Sequence, residues 1–498
     1  MDAPNIIPLK HQNIPRTLRL PLGLETAVHR LPVEILIEIF LFYLPPGRTL
    51  GRSLRVSASR RQAPLLLCHV CSSWRRIALQ TPALWACLIM EVSGEDTQEV
   101  PERHSQVASH WFSQAGRHLV NLEIVDDIDH NGPSGRYSAN FMMQLVRPHV
   151  EKIRSLRLSF WDNYDICCLL QHQDDDGSFV EQVWSFPNLE YLTLELNTFR
   201  VEGAVVTAFR SMPKLRTFVL EVRNDTILSN QLNIHLPWSQ LTSSTIDGID
   251  QFAFRILITQ CLVLETGCFG ITGRAEEEPP TVDILTLTRL TTLKVHFYGE
   301  SSPRVFDGIH LPALDDFTLF LWYSVDDFIW IAPPHMFRQL GSITTLSLGE
   351  RIAAPDMINI LRGTTNVTVF KVQVEDGHRE VFKALTLTGG SENEEILLPK
   401  LGVMYVRTSP GRRCGSEPFA VAAFVEMVAS RSPGGVRPLG VSQLRDICVC
   451  ILGEDPNTLK ADMDAVLEQW GHKRDMPQVQ YEERKWYEDP WSSLRCDG

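Results

Sequence analysis

The sequence is short of positive charge. Its 47 Lys and Arg stand against 60 Asp and Glu, a formal net charge of −13. An acidic chain repels nucleic-acid phosphates unless its basic residues are concentrated. The one basic cluster of note, Arg48, Arg52, Arg55, Arg60 and Arg61, lies in a stretch rich in Ser, Gly and Pro, and a nucleic-acid partner is not expected. Long apolar runs are also missing. The longest candidate, Ile35 to Leu44, is interrupted by Glu38 and is too short to span a bilayer. Residues 1–28 carry prolines and scattered charges without the apolar centre of a signal peptide. The expectation is a soluble protein of the cytoplasm or nucleus, not a secreted one and with no membrane partner. Eleven cysteines in 498 residues do not make a disulfide scaffold.

Local signatures of chemistry are absent as well. The chain has no glycine-rich phosphate loop ending in Gly-Lys, no Gly-x-Ser-x-Gly elbow and no His-Glu-x-x-His pair. Cys68-His-Val-Cys71 lacks the second pair that a zinc site needs, and Cys448-Val-Cys450 reads as core. The acidic runs Asp174–Asp176 and Glu276–Glu278 read as solvated insertions. No catalysis, metal or cofactor is expected.

What is present begins with Leu31-Pro-Val-Glu-Ile-Leu-Ile-Glu-Ile-Phe-Leu-Phe-Tyr-Leu44. Pro32 suits a first helical turn, and Pro45-Pro46 ends the helix. Ile35, Leu36, Ile39, Phe40 and Tyr43 follow helical spacing, and Glu34 and Glu38 form the only polar stripe. A helix apolar almost all round implies a partner. After a loop at 45–63, Pro64 opens a second helix with the stripe Leu66, Leu67, Val70, Cys71, Trp74, Ile77 and Ala78.

Leu31-Pro32, then Glu34-Ile35-Leu36 and Ile39-Phe40, then Val70-Cys71-Ser-Ser-Trp74-Arg75-Arg-Ile77-Ala78, closely resembles the F-box. Thr81-Pro82-Ala83-Leu84-Trp85 is similar to the F-box-to-repeat junction of fungal F-box-like proteins. The 45–63 insertion is longer than in a compact F-box. The resemblance implies docking to the Skp1-type subunit of a cullin-RING ubiquitin ligase through Leu31, Pro32, Ile35, Leu36, Ile39 and Phe40, with Val70, Cys71, Trp74 and Ile77. Some of these must instead join the two helices, and the sequence does not divide them. The alternative is a non-ligase scaffold in which the hairpin is a cap or an interaction module.

From Leu84 onward one phrase recurs, Pro-x-Leu followed by two apolar residues three and five positions after the Leu. It occurs at Pro82/Leu84/Cys87/Ile89, Pro187/Leu189/Leu192/Leu194, Pro213/Leu215/Phe218/Leu220, Pro312/Leu314/Phe317/Leu319 and Pro399/Leu401/Met404/Val406. Copies without the proline start at Leu119, Ile153, Leu264, Leu290, Ile343, Val367 and Leu444; one at Leu241 is poor because Ser244 takes an apolar place. Several starts lie about 24–26 residues apart, the period of leucine-rich repeats. Two apolar residues two apart face one side of a short strand. Segments such as Glu202–Met212 and Ala420–Ser430 carry helical spacing and return the chain over the sheet. The array resembles leucine-rich repeats but is irregular: only Asn197 fits the family's asparagine position.

The fold class expected is α/β: a short N-terminal helical F-box-like module followed by a curved leucine-rich-repeat-like solenoid with a parallel sheet. The boundaries are an N-terminal arm at 1–28, the module at 29–82, the array at 83–455 and a C-terminal helical cap or tail at 456–498. Residues between the buried positions should line an open face that binds a protein substrate: Tyr191, Thr193, Glu195, Thr217, Glu221, Thr292, Lys294, His296, Asp316, Thr318, Phe320, Tyr405 and Arg407.

Overall fold

The computed structural model describes residues 31–44, 57–92, 100–126, 145–160, 171–173, 179–181, 184–196, 209–222, 234–273, 284–299, 303–322, 340–349, 352–374, 379–388, 396–408, 420–432, 440–451, 460–461, 465 and 478–482. Residues 1–28, Asn197, Glu202–Ala208 and the acidic runs lie outside them.

Fourteen strands form one parallel sheet in which every strand neighbours the next along the chain. They are β1 (Cys87–Val92), β2 (Val120–Asp126), β3 (Ile153–Phe160), β4 (Tyr191–Leu196), β5 (Thr217–Val222), β6 (Ser243–Asp250) and β7 (Thr266–Gly273), then β8 (Thr292–Gly299), β9 (Asp316–Trp322), β10 (Thr345–Leu348), β11 (Val369–Val374), β12 (Val403–Thr408), β13 (Asp446–Ile451) and β14 (Gln478–Glu482). The α/β class and the parallel sheet agree with the sequence reading. The sheet continues beyond residue 455, because β14 pairs parallel on β13; the segment 456–498 is therefore not wholly helical.

The repeated phrase has a physical cause. In Phe186-Pro187-Asn188-Leu189 the Leu189 N–H donates to the Phe186 carbonyl, and the same turn closes at Met212–Leu215, Leu311–Leu314 and Leu398–Leu401. Proline stands second in each, where its fixed φ matches the turn. The Leu that ends the turn is buried, as are the two apolar residues that follow it in the strand. Neighbouring strands align these positions into continuous rows: Leu156, Leu192 and Phe218 stand side by side, as do Leu293, Phe317, Leu346, Phe370 and Met404. The weak copy at Leu241 is a full member. Ser244 is wholly buried in the row that holds Phe218 and Gly267, so tertiary context overrides the poor local match.

The first copy is out of phase. Leu88 and Met90, not Cys87 and Ile89, occupy the core rows beside Leu122 and Ile124. A 3-10 turn at Pro82–Trp85 carries the chain one residue further before the strand begins, with the Ala86 N–H bonded to the Ala83 carbonyl.

The helices of the array cover the side with the leucine rows. They are α4 (Val100–Gln114), α5 (Gln251–Gln260), α6 (Ala354–Gly363), α7 (Arg379–Leu385) and α8 (Val421–Arg431), the last matching the helix expected at 420–430. Helix α5 starts where Asp250 caps it, its Oδ1 accepting from the Phe252 and Ala253 amides at 2.8 and 2.9 Å.

Candidate docking surfaces

The N-terminal module consists of α1 (Val33–Phe42), α2 (Leu65–Val70) and α3 (Ser72–Leu79). The single second helix read from the sequence is two helices. Cys71 is fully extended between them, at φ −157° and ψ 170°, and its Sγ accepts the Trp74 amide at 3.4 Å, capping α3. The break turns the stripe: Cys68 and Ile77 point inward while Val70 points out. Burial pushes the Cys68 thiol up, against an opposing pull from Arg75, so it behaves as core, and no metal-holding group of His, Cys, Asp or Glu exists among the described residues.

The fold divides the expected docking residues. Leu36 and Phe40, four apart on α1, and Leu44 just after its end form the inner edge of this segment. Phe40 is fully buried, its ring 4.9 Å from that of Trp74. These residues and Ile77 join the helices. Leu36, Phe40 and Ile77 are therefore corrected from docking residues to module core, with Trp74 and Cys71 half-buried between the two roles. Leu31, Ile35 and Ile39, also four apart, form a second strip that faces solvent and ends in Phe42, which is 93% exposed. Pro32, Val33 and Tyr43 are exposed on the same segment, and Val70 on α2 and Leu79 on α3 are exposed too. Glu34 and Glu38 flank the strip on the same helix. Sequence periodicity missed Val33 and Phe42 on α1, because a helix apolar almost all round carries little mark of which apolar strip is inward, and it missed Leu79 on α3.

The module is built into the sheet end. The Trp85 indole N–H donates to the Ala78 carbonyl at 2.8 Å, its ring lies 4.8 Å from Trp111, and Trp111 donates to the Cys87 carbonyl at 3.0 Å. Ser57, in the 45–63 insertion, makes an isolated parallel bridge to Ile89 on the outer edge of β1.

The second surface is the sheet face opposite the leucine rows. Residues alternate to it in three rows. The first holds Ser155, Tyr191, Thr217, Ser243, Thr266, Thr292 and Asp316, and the second holds Arg157, Thr193, Lys294, Thr318, Lys371 and Tyr405. Tyr191, Thr193, Thr217, Glu221, Thr292, Lys294, Asp316 and Tyr405 are exposed or half-exposed as expected.

Five expected members are buried instead: Glu195, His296, Thr318, Phe320 and Arg407. Apart from Thr318 they belong to the third row, towards the strand C-termini, where large neighbours cover one another. Glu195 is ion-paired with Arg157, which also stands 3.8 Å from Glu123, so a charge ladder crosses β2, β3 and β4. The His296 ring lies 4.7 Å from Phe320, and Phe320 lies over Gly349, where a Cβ would fall 1.8 Å from the ring. At Gly270 a side chain would fall 2.1 Å from Asp247 Oδ1, which accepts the Tyr298 hydroxyl at 2.9 Å. Cys448, expected in the core, is half-buried and lies on the open face beside Tyr405.

His296 gives this row a pH dependence. Burial, and then Lys294, hold its pKa well below 6.5. The folded state keeps it neutral while the unfolded chain protonates near pH 6.5, so its contribution is full above that value and is lost as the pH falls. Stability should drop by about 1.4 kcal/mol per pH unit below roughly pH 6. Urea denaturation of the parent and His296→Phe across this range checks it: the parent should show the steeper loss, and equal slopes would contradict it.

No protein-family model matches the chain, and no curated protein matches it. No helix among the described residues is long and apolar enough to cross a membrane.

Proposed function

We propose that the chain is a substrate-recognition adaptor of a Skp1-cullin-F-box type ubiquitin ligase, with the helical module docking the Skp1-type subunit and a leucine-rich-repeat-like array presenting its open face to a protein substrate. The observation that carries this reading is the solvent-facing strip Leu31, Ile35, Ile39 and Phe42, distinct from the inner strip that holds the module together. A helix that only capped the sheet would turn a polar side outward. This one turns out, beside Glu34 and Glu38, a strip of apolar side chains, as a docking surface does, and they include the Leu-Pro and Ile positions that resemble the F-box. The Trp85 indole bonded to the Ala78 carbonyl favours a second role for the same module, sealing the first strand of the array.

Ile35→Glu together with Ile39→Glu should abolish capture of a purified Skp1-type subunit. Buried anchors at interfaces cost about 2 kcal/mol or more each on truncation, and a carboxylate in their place costs more. Because both residues face solvent, the melting transition should stay put. Capture unchanged by the double substitution, or none by the parent, would leave the scaffold reading.

A further inference from the structure

Charge is unevenly spread over the open face. On β2 to β6 the face carries Glu123, Glu195, Glu221 and Asp247 against Arg157. On β8 to β12 it carries half-exposed Lys294 and Lys371 against Asp316, with Arg407 buried. A chain of net charge −13 therefore holds a cationic half-face.

Each half also has charges that engage a neighbour, with a different sign in excess. On the acidic half Arg157 sits between Glu123 and Glu195, and Tyr298 donates to Asp247. On the cationic half burial lifts the Asp316 carboxyl while Lys371 and Lys294 both pull it down, and Lys371 Nζ stands 5.7 Å from the centre of the Tyr405 ring. Tyr405 is 36% exposed. Beside this pair, in register, lie the half-buried side chains of Val369 and Val403. Two adjacent strands thus present an apolar pair next to a cation–aromatic pair.

We propose that the β8–β12 half of the open face docks an acidic segment of a partner protein that also carries an apolar side chain. The proposal rests on the reading of the array as a recognition surface and names the chemistry of what it recognises. Lys294 and Lys371 lie three strands apart, roughly 14 Å at about 4.8 Å per strand. An extended segment crossing the strands spans that distance in about four residues. Two carboxylates four residues apart would reach both lysines, and an apolar residue near the second would meet Val369, Val403 and Tyr405. Association between such charges is steered by the local field and weakens with salt.

The test uses the full chain and a fluorescein-labelled peptide with two Glu four residues apart and a Leu beside the second, compared by anisotropy with its Gln counterpart. The Glu peptide should bind at least tenfold more tightly, and the difference should shrink as salt rises. Lys294→Gln with Lys371→Gln should remove most of that preference. Asp316→Asn, which deletes the opposing carboxylate, should increase affinity, a gain that an unfolded variant could not give. Equal binding of the two peptides, or a preference untouched by the lysine changes, overturns the proposal. Capture of the Skp1-type subunit is measured on the same variants and should not change. Its loss in the parent, with peptide binding intact, would remove the adaptor reading and leave this one standing.

Discussion

Arg431→Ala should destabilise the array by roughly 3–5 kcal/mol. The side chain ends α8 and is 1% exposed, yet it is a cation whose hydrogen bonds go to carbonyls alone: Nε donates to Leu385 at 2.7 Å, Nη1 to Leu398 at 3.0 Å and Nη2 to Leu397 at 2.6 Å. Burial pushes the guanidinium down to about 10, so it stays charged at neutral pH. Removing it strands three carbonyls at a cost of about 1–3 kcal/mol each before relaxation, and it leaves a cavity. Lysine should restore less than half of the loss, because a point charge cannot serve three acceptors in the plane of a fork. The urea midpoints of the three proteins decide it, and a parental midpoint in the alanine variant would show that water replaces the guanidinium. Arg255 in α5 makes the same use of a buried guanidinium, donating to the Val305 and Asp307 carbonyls.

Leu192→Ala should cost about 2–5 kcal/mol, because the side chain is fully buried in the row between Leu156 and Phe218 and a cavity there is walled by neighbours on both strands. Thr193→Ala, one residue on, should cost within about 0.5 kcal/mol, since Thr193 is half-exposed on the open face. Equilibrium denaturation of the pair measures the alternation itself: equal losses would mean that the two faces of β4 do not differ in burial.

Much of this fold was legible because each signal was local. The Pro-x-Leu phrase names a turn whose second residue must have φ near −65°, and the two apolar residues after it name the inner face of a strand. Every copy from Leu119 to Leu444 carries such a strand. The residues proposed for docking were legible only as a set. The sequence shows that α1 is apolar; it takes the position of Trp74 against Phe40 to make one strip core and leave another outside.

The sequence by itself determined the repeat, the inward-facing positions of most of its strands and the apolar character of the first helix, because side-chain spacing along a strand or helix follows from backbone geometry alone. Tertiary structure decided the rest. It placed Ser244 in a core row, broke the second helix at Cys71, moved the first repeat by one residue and buried Glu195, His296 and Phe320 on a face expected to be open. It also gathered the lysines of β8 and β11 on one half of the sheet face. The burials depend on a neighbour tens of residues away in sequence: Arg157 for Glu195 and Phe320 for His296. No period or local propensity records which distant side chain will stand beside a given one, and packing and pairing across strands are set only when the strands meet.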